Sequence, residues 1–146
     1  MIRLIEALNY RCLRYVRQPL EPFHVLVGPN ASGKTTFLDV VSFLGHLVSD
    51  SLETAVGERT ENLDDLLFGR AGKVFELAIE AAIPEDRKAK LKEDFDTIRY
   101  EIRIGLDEQT NEVSIQLEKA WLKPWHEHKA IERTLFPLSW TSRARS

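Results

Sequence analysis

The sequence predicts a mixed α/β fold with α+β character, in which a strand–loop–helix core is followed by an antiparallel β-meander. Two observations carry this expectation. Residues 28–35 read Gly28-Pro29-Asn30-Ala31-Ser32-Gly33-Lys34-Thr35, a complete G-x-x-x-x-G-K-[ST] loop set between an apolar run and an apolar helical pattern. From Lys73 onward the apolar period falls to two, and successive runs alternate apolar with polar residues.

The elements are predicted in order. Met1–Leu8 and Cys12–Val16 read as two short strands around the turn-prone Asn9. Pro19 and Pro22 flank a connection into Phe23-His24-Val25-Leu26-Val27, an apolar run that predicts a buried strand ending at the loop. Thr36–Val48 predicts a helix, with Phe37, Val41, Leu44 and Val48 on one stripe. Leu38, Val40 and Phe43 widen that stripe, so the helix is expected to lie against a sheet. Ser49–Gly72 is polar, acidic and broken by Gly57, Gly69 and Gly72, which predicts a surface excursion, mobile in part. Within it Asn62 is placed to cap a helical turn.

In the second half, Phe75, Leu77, Ile79, Ala81 and Ile83 share one face of a strand, with Val74, Glu76, Ala78, Glu80 and Ala82 on the other. Pro84–Phe95 is heavily charged and reads as a short exposed helix or a long loop. Ile98, Tyr100, Ile102, Ile104 and Leu106 alternate with polar residues, as do Val113, Ile115 and Leu117. Asp107-Glu108-Gln109-Thr110-Asn111 between them reads as a hairpin loop, so antiparallel strands with one solvated face are expected.

Composition narrows the class. With 146 residues, 43% hydrophobic and 29% charged, the chain can bury the core of one modest domain. The formal net charge of −3 gives no whole-chain case for nucleic acid. Arg3, Arg11, Arg14 and Arg17 nevertheless crowd the first strands, either as a solvated basic face or as residues near phosphates. The single cysteine, Cys12, excludes an internal disulfide and fits a reducing compartment. No apolar stretch approaches a membrane span and the N-terminus lacks a signal-peptide pattern, so a cytoplasmic location without a membrane partner is expected.

The loop has a definite chemistry. Gly28 and Gly33 lack a β-carbon, which lets the backbone wrap closely and turn its N–H groups inward. Lys34 supplies an ammonium for β- and γ-phosphate oxygens, Thr35 a hydroxyl for Mg²⁺, and the helix its positive N-terminal end. A simple glycine turn explains Gly28 and Gly33 but not Lys34-Thr35 beside them. The expected binding residues are therefore Gly28, Pro29, Asn30, Ala31, Ser32, Gly33, Lys34, Thr35 and Thr36, with Thr35 also the metal contact. The expected ligands are ATP and Mg²⁺, although no base-reading motif separates adenine from guanine.

The opening Ile2–Leu8 strand, the Tyr10–Val16 segment and the run Phe23–Asp39 together resemble the N-terminal lobe of an ABC-class P-loop ATPase of the SMC/RecF-like branch. Asn30 in the loop, followed by Gly33-Lys34-Thr35-Thr36, makes the likeness more specific than the general motif. It covers residues 1–48 strongly, and 73–122 as an antiparallel subdomain. The resemblance implies head-to-tail dimerisation around ATP, with hydrolysis driving DNA-associated or defence machinery. It implies a lobe over residues 1–122, a tail of uncertain structure over 123–146, and a C-terminal lobe or second ATPase subunit as partner.

That family also carries a Leu-Ser-Gly-Gly signature, an acidic Walker B strand and a histidine switch, none of which is evident. Leu138-Ser139-Trp140-Thr141 shares two letters with the signature, and Trp140 blocks close backbone approach. Ile102–Glu108 imitates Walker B, but Arg103 and the alternation around it indicate a half-exposed strand entering a hairpin. His126 and His128 lack a third ligand, Trp121 and Trp125 read as packing residues, and neither Gln109 nor Gln116 can be assigned as a magnesium contact. No catalytic residue is assigned. The leading expectation is binding without turnover unless a further lobe completes the site. The alternatives are a self-contained small NTPase or kinase using Asp107-Glu108, and a nucleotide-regulated interaction module.

Overall fold

The computed structural model describes residues 1–125. A single five-stranded antiparallel sheet, in the order β2-β1-β3-β4-β5, organises them. Its strands are β1 (Ile2–Tyr10), β2 (Leu13–Pro19), β3 (Val74–Ala82), β4 (Thr97–Leu106) and β5 (Val113–Lys123). Helices α1 (Lys34–Ser49) and α2 (Leu52–Gly57) and a 3₁₀ turn (Leu63–Leu66) lie between β2 and β3, and a short α3 (Glu85–Lys88) precedes β4. Strands β3, β4 and β5 form the meander expected from the period-two runs. This is the mixed α/β architecture of a P-loop NTPase N-terminal lobe.

One sheet face carries the apolar core. Cross-strand register aligns Ala7 with Leu77 and Leu77 with Ile102, so apolar side chains of successive strands meet on that face. Phe37, Val40, Phe43 and Leu44 of α1 are buried in the same cluster. At its centre the ring of Tyr10 lies 6.0 Å from that of Phe43 and 5.1 Å from that of Phe75, with Phe43 and Phe75 edge-to-face at 5.6 Å. The buried stripe of α1 is narrower than its composition indicates: Val41 is half-buried, and Leu38 and Val48 are exposed.

Residues 49–72 depart from the expectation of a surface excursion. Ser51 caps α2 by accepting from the Thr54 amide, which sets Ala55 and Val56 into the core. Asn62 caps the 3₁₀ turn by accepting from the Asp64 amide, and Leu63, Leu66 and Leu67 are buried beside it. The segment is held at the C-terminal end of this turn, because the Arg11 amide donates to Leu66 O at 2.8 Å and Tyr10 bridges Leu67. Its polar letters face water while a minority of leucines anchor it.

The opposite sheet face corrects the expectation of a solvated side. Register places Glu80 beside Arg99, and Ala78 of the adjacent row beside Glu101, bringing the acids around one guanidinium. Arg99 is 0% exposed and bonds Glu6 at 2.7 Å, Glu80 at 2.9 Å and Glu101 at 2.6 Å. Lys123 adds a second cation to Glu80 at 2.9 Å, and the Tyr15 hydroxyl donates to Glu6 at 2.6 Å. The Arg99 guanidinium also lies over the Trp121 ring, 5.8 Å from its centre. Burial works against the Arg99 charge, but Glu6 and Glu101 outweigh it and hold its pKa above the ordinary value.

Phe23–Val27 is the clearest correction. The run belongs to no strand or sheet among the described residues, and Phe23 and Val27 are 82% and 86% exposed. An apolar strand needs hydrogen-bonding neighbours on both edges, and none of the five strands pairs with it. Only Leu26 of this run packs against the core.

Candidate functional site: the phosphate loop

The loop joins the Phe23–Val27 run to the first turn of α1. Ser32 N donates to Pro29 O at 3.3 Å, and Ala31 and Gly33 take left-handed conformations at φ 63° and 91°. A β-carbon on Gly33 would meet Cys12 Sγ and Leu13 Cδ2, each at 3.3 Å. A β-carbon on Gly28 would stand 2.8 Å from Ser32 Oγ. Gly33 is therefore required by its left-handed conformation, whereas the close approach at Gly28 is to the end of the rotatable Ser32 side chain.

Lys34 folds back into the loop. Its ammonium donates to Gly28 O at 2.6 Å, Pro29 O at 2.7 Å and Ser32 Oγ at 3.2 Å. These are charge-assisted bonds to oxygens that stand where anionic oxygens could replace them. The first helical bond runs from Phe37 N to the Gly33 carbonyl, and no side chain caps the N-terminus of α1. Lys34, Thr35 and Thr36 thus bring unpaired first-turn N–H groups to the same place, without an acidic residue in that turn. Thr35 is exposed, whereas Thr36 Oγ1 accepts from Cys12 Sγ at 3.2 Å.

The donor set fits a polyphosphate with Mg²⁺: a retracted ammonium, uncapped amides, a left-handed glycine at the helix start and an available threonine hydroxyl. A hollow of about 370 Å³ opens beside it, bounded by Gly28, Ser32 and Lys34 on the loop and by Val16 and Gln18 on β2.

A network invisible in the motif braces α1. Asp39, one turn beyond Thr35, accepts from the Tyr10 hydroxyl at 2.6 Å and from Arg11 at 3.3 Å. Arg59 reaches it with two nitrogens, at 3.0 and 2.7 Å, while its guanidinium lies 5.1 Å from the Phe43 ring centre. Burial would raise the Asp39 carboxyl, but hydrogen bonds from Arg59 and Tyr10 win and hold it below the usual carboxylate range. Burial and the Asp39 bond push the Tyr10 phenol up. A carboxyl depressed on folding adds stability above its unfolded pKa near 4, and loses it as pH falls through the folded value. Asp39→Asn is expected to flatten the acid limb of a denaturant-derived stability–pH curve below about pH 4; an unchanged limb contradicts the network.

The other sequence candidates fall elsewhere. Asp107 sits in the β4–β5 hairpin, where its carboxylate accepts from the amides of Gln109 and Thr110 at 2.8 and 3.0 Å. Those bonds hold its pKa low. Glu108 pairs with Lys73 at 3.2 Å, and Gln116 donates to Leu106 O at 3.1 Å. These residues shape a hairpin at the far edge of the sheet from β2. Trp125 donates its amide to Asp96 at 2.6 Å, with Arg3 over its ring. His126, His128 and Leu138–Thr141 lie outside the described residues. Among the described residues no cluster of three His, Cys, Asp or Glu could hold a metal, and no helix is long and apolar enough to cross a membrane.

The family model described as "AAA domain, putative AbiEii toxin, Type IV TA system" matches residues 23–145. The chain belongs to this AAA-domain family of P-loop ATPases. The match begins at Phe23 and takes in the phosphate loop, α1 and the whole meander. An OLD nuclease from Thermus scotoductus is 39% identical over 44 residues, which make up 30% of this chain and 8% of that protein. The chain therefore spans a small fraction of the length of this curated relative. Membership of an AAA-domain family implies nucleotide use, typically with Mg²⁺, and the loop geometry is where this chain would carry it.

Proposed function

We propose that the chain binds a Mg²⁺–nucleoside triphosphate, ATP in the first place, through Gly28–Thr36, as the N-terminal part of an ABC-class ATPase of the SMC/RecF-like branch. The observation that carries this reading is Lys34, held by loop carbonyls beside an uncapped helix N-terminus. On binding, the Lys34 ammonium exchanges the Gly28 and Pro29 carbonyls for phosphate oxygens, and the amides of residues 30–35 line the anion. Thr35 holds the metal, which supplies positive charge against the β- and γ-phosphates. Arg59 and Tyr10, through Asp39, keep α1 at a fixed angle to the β1–β2 hairpin.

Hydrolysis also needs a group that positions water and further charge stabilisation. Asp107 and Glu108 are committed to the hairpin and its Lys73 contact, so residues 1–122 act as one lobe and a C-terminal lobe or second ATPase subunit completes the reaction. The exposed Phe23, Val25 and Val27, with Leu38 and Val48 of α1, support this division. An apolar run with free backbone edges is stable only when other strands cover it. The boundary expected at residue 122 falls inside β5, which runs to Lys123, and Trp125 is tied to Asp96. A DNA-associated role rests on family resemblance and on the nuclease name of the relative.

The test is steady-state hydrolysis by the isolated chain. Saturable ATP binding with turnover indistinguishable from buffer is expected. Robust hydrolysis that disappears in Asp107→Asn or Glu108→Gln overturns the incomplete-lobe reading in favour of a self-contained NTPase.

A further inference from the structure

We infer that residues 131–140 of this chain pack over an apolar row at one end of the sheet, on the face that carries the core. The inference stands apart from the nucleotide reading and concerns the part of the chain that follows Trp125.

The row is fixed by register. Ile2 of β1 pairs with Ala81 of β3, Ala81 with Ile98 of β4, and Ile98 with Leu122 of β5. Residues directly opposite one another share a face, and Ile2 touches the core cluster, so the row lies on the core face. It crosses four strands, a width of about 14 Å from three inter-strand spacings. At the other end of this face the rings of Tyr10, Phe43 and Phe75 close the core. Here the cover runs out. Ile98 and Leu122 lie outside the core cluster and are 39% and 37% exposed, whereas Ile102 and Ile104, on the same face of β4, are 1% and 0% exposed. The short α3, which follows β3 at this end, buries none of its residues. A lone exposed leucine is ordinary, but apolar side chains aligned across four strands make a continuous patch.

The path of the chain argues for what covers it. Strand β5 ends at Lys123, one residue past the row, and Trp125 is pinned there. Its amide donates to Asp96 at 2.6 Å, and Arg3 lies over its ring, 5.4 Å from the centre. Arg3 and Asp96 pair in turn at 3.1 Å. The chain therefore leaves Trp125 beside the starts of β4 and β1, the strands that bring Ile98 and Ile2 to the row. His126-Glu127-His128-Lys129-Ala130 follows, and Ile131, Leu135, Phe136, Leu138 and Trp140 then make half of residues 131–140 apolar. Ile131 is six residues from Trp125, a reach of up to about 20 Å, which exceeds the width of the row. The family match runs on to residue 145, so this segment belongs to the same domain as the sheet. Docking removes two apolar surfaces from water at once, and that burial drives it.

The experiment is methyl and aromatic NMR on the labelled 146-residue chain and on its Leu135→Asp/Phe136→Asp double variant, with sedimentation at the same concentrations. In the unmodified monomer, cross-relaxation is expected between the methyls of Ile98 and Leu122 and the side chains of residues 131–140. The double variant is expected to lose those contacts and to shift both methyl sets. The methyls of Leu77 and Ile104 should stay fixed, which shows that the sheet is intact. Absence of the contacts in the unmodified chain overturns the inference, as do row methyls that ignore the double substitution. Contacts present only where the chain sediments as a dimer overturn it too, and assign the row to a second copy. Where the double variant does not fold, the contacts in the unmodified chain decide alone.

Discussion

Lys34→Ala is expected to weaken Mg²⁺–triphosphate binding by roughly a hundredfold or more, the value of one to two charge-assisted hydrogen bonds to an anion. Thermal stability should hardly move. The three bonds of the ammonium, to Gly28, Pro29 and Ser32, are exposed and link residues at most six apart, so they organise the loop rather than the core. Calorimetric titration with ATP and with tripolyphosphate reads the first quantity, and a thermal melt reads the second. Unchanged triphosphate affinity in a folded variant contradicts the assigned role of the loop. A large loss of stability contradicts the separation of site from core.

Arg99→Met should have the largest effect on folding. It leaves Glu6, Glu80 and Glu101 buried around an apolar side chain, with Lys123 bound to Glu80. Removing one partner of a buried ion cluster costs about 3–5 kcal/mol, a large part of the roughly 5–15 kcal/mol that holds a domain together. Its pH dependence has a definite sign. Burial already raises the Glu101 carboxyl despite Arg99, and without the guanidinium the buried acids take higher pKa values than in the unfolded chain. A raised carboxyl adds stability below its unfolded pKa and loses it as pH rises through the folded value. The deficit of Arg99→Met should therefore be greatest at neutral pH and shrink as pH falls through the carboxylate range. Denaturant midpoints at several pH values measure this, and a deficit independent of pH contradicts the cluster.

The contrast between these two residues shows what the sequence could disclose. The phosphate loop is a local object: eight consecutive residues fix the glycine conformations, the ammonium and the helix start, and the motif is legible without knowledge of the fold. Helix α1 and the three meander strands were equally legible, because their apolar periods are set by residues close in sequence. Arg99 and Glu101 read as a solvated strand face because alternation reports only that two faces differ. What fills the second face depends on Glu6, 93 residues away from Arg99. Asp39 was opaque for the same reason, since Arg59 reaches it from beyond α2.

Phe23–Val27 marks the opposite limit. Its composition suits a central strand, but a strand is defined by partners, and none of the five strands among the described residues pairs with it. Residues 49–72 misled in the other direction: the charged letters outnumber Ala55, Val56, Leu63, Leu66 and Leu67, yet those five decide that the segment packs. Burial follows the few apolar anchors rather than the average polarity.

The account turns on whether the amides of one loop receive a polyphosphate. Backbone amide shifts of the labelled chain, followed by NMR during titration with Mg·ATP, test this most directly. Saturable shifts concentrated at residues 28–36, with Cys12 and Leu13 moving beside them and all reversed by excess pyrophosphate, are predicted. Amides of residues 28–36 that stay fixed at saturating nucleotide, or shifts confined to another part of the sheet, would contradict it.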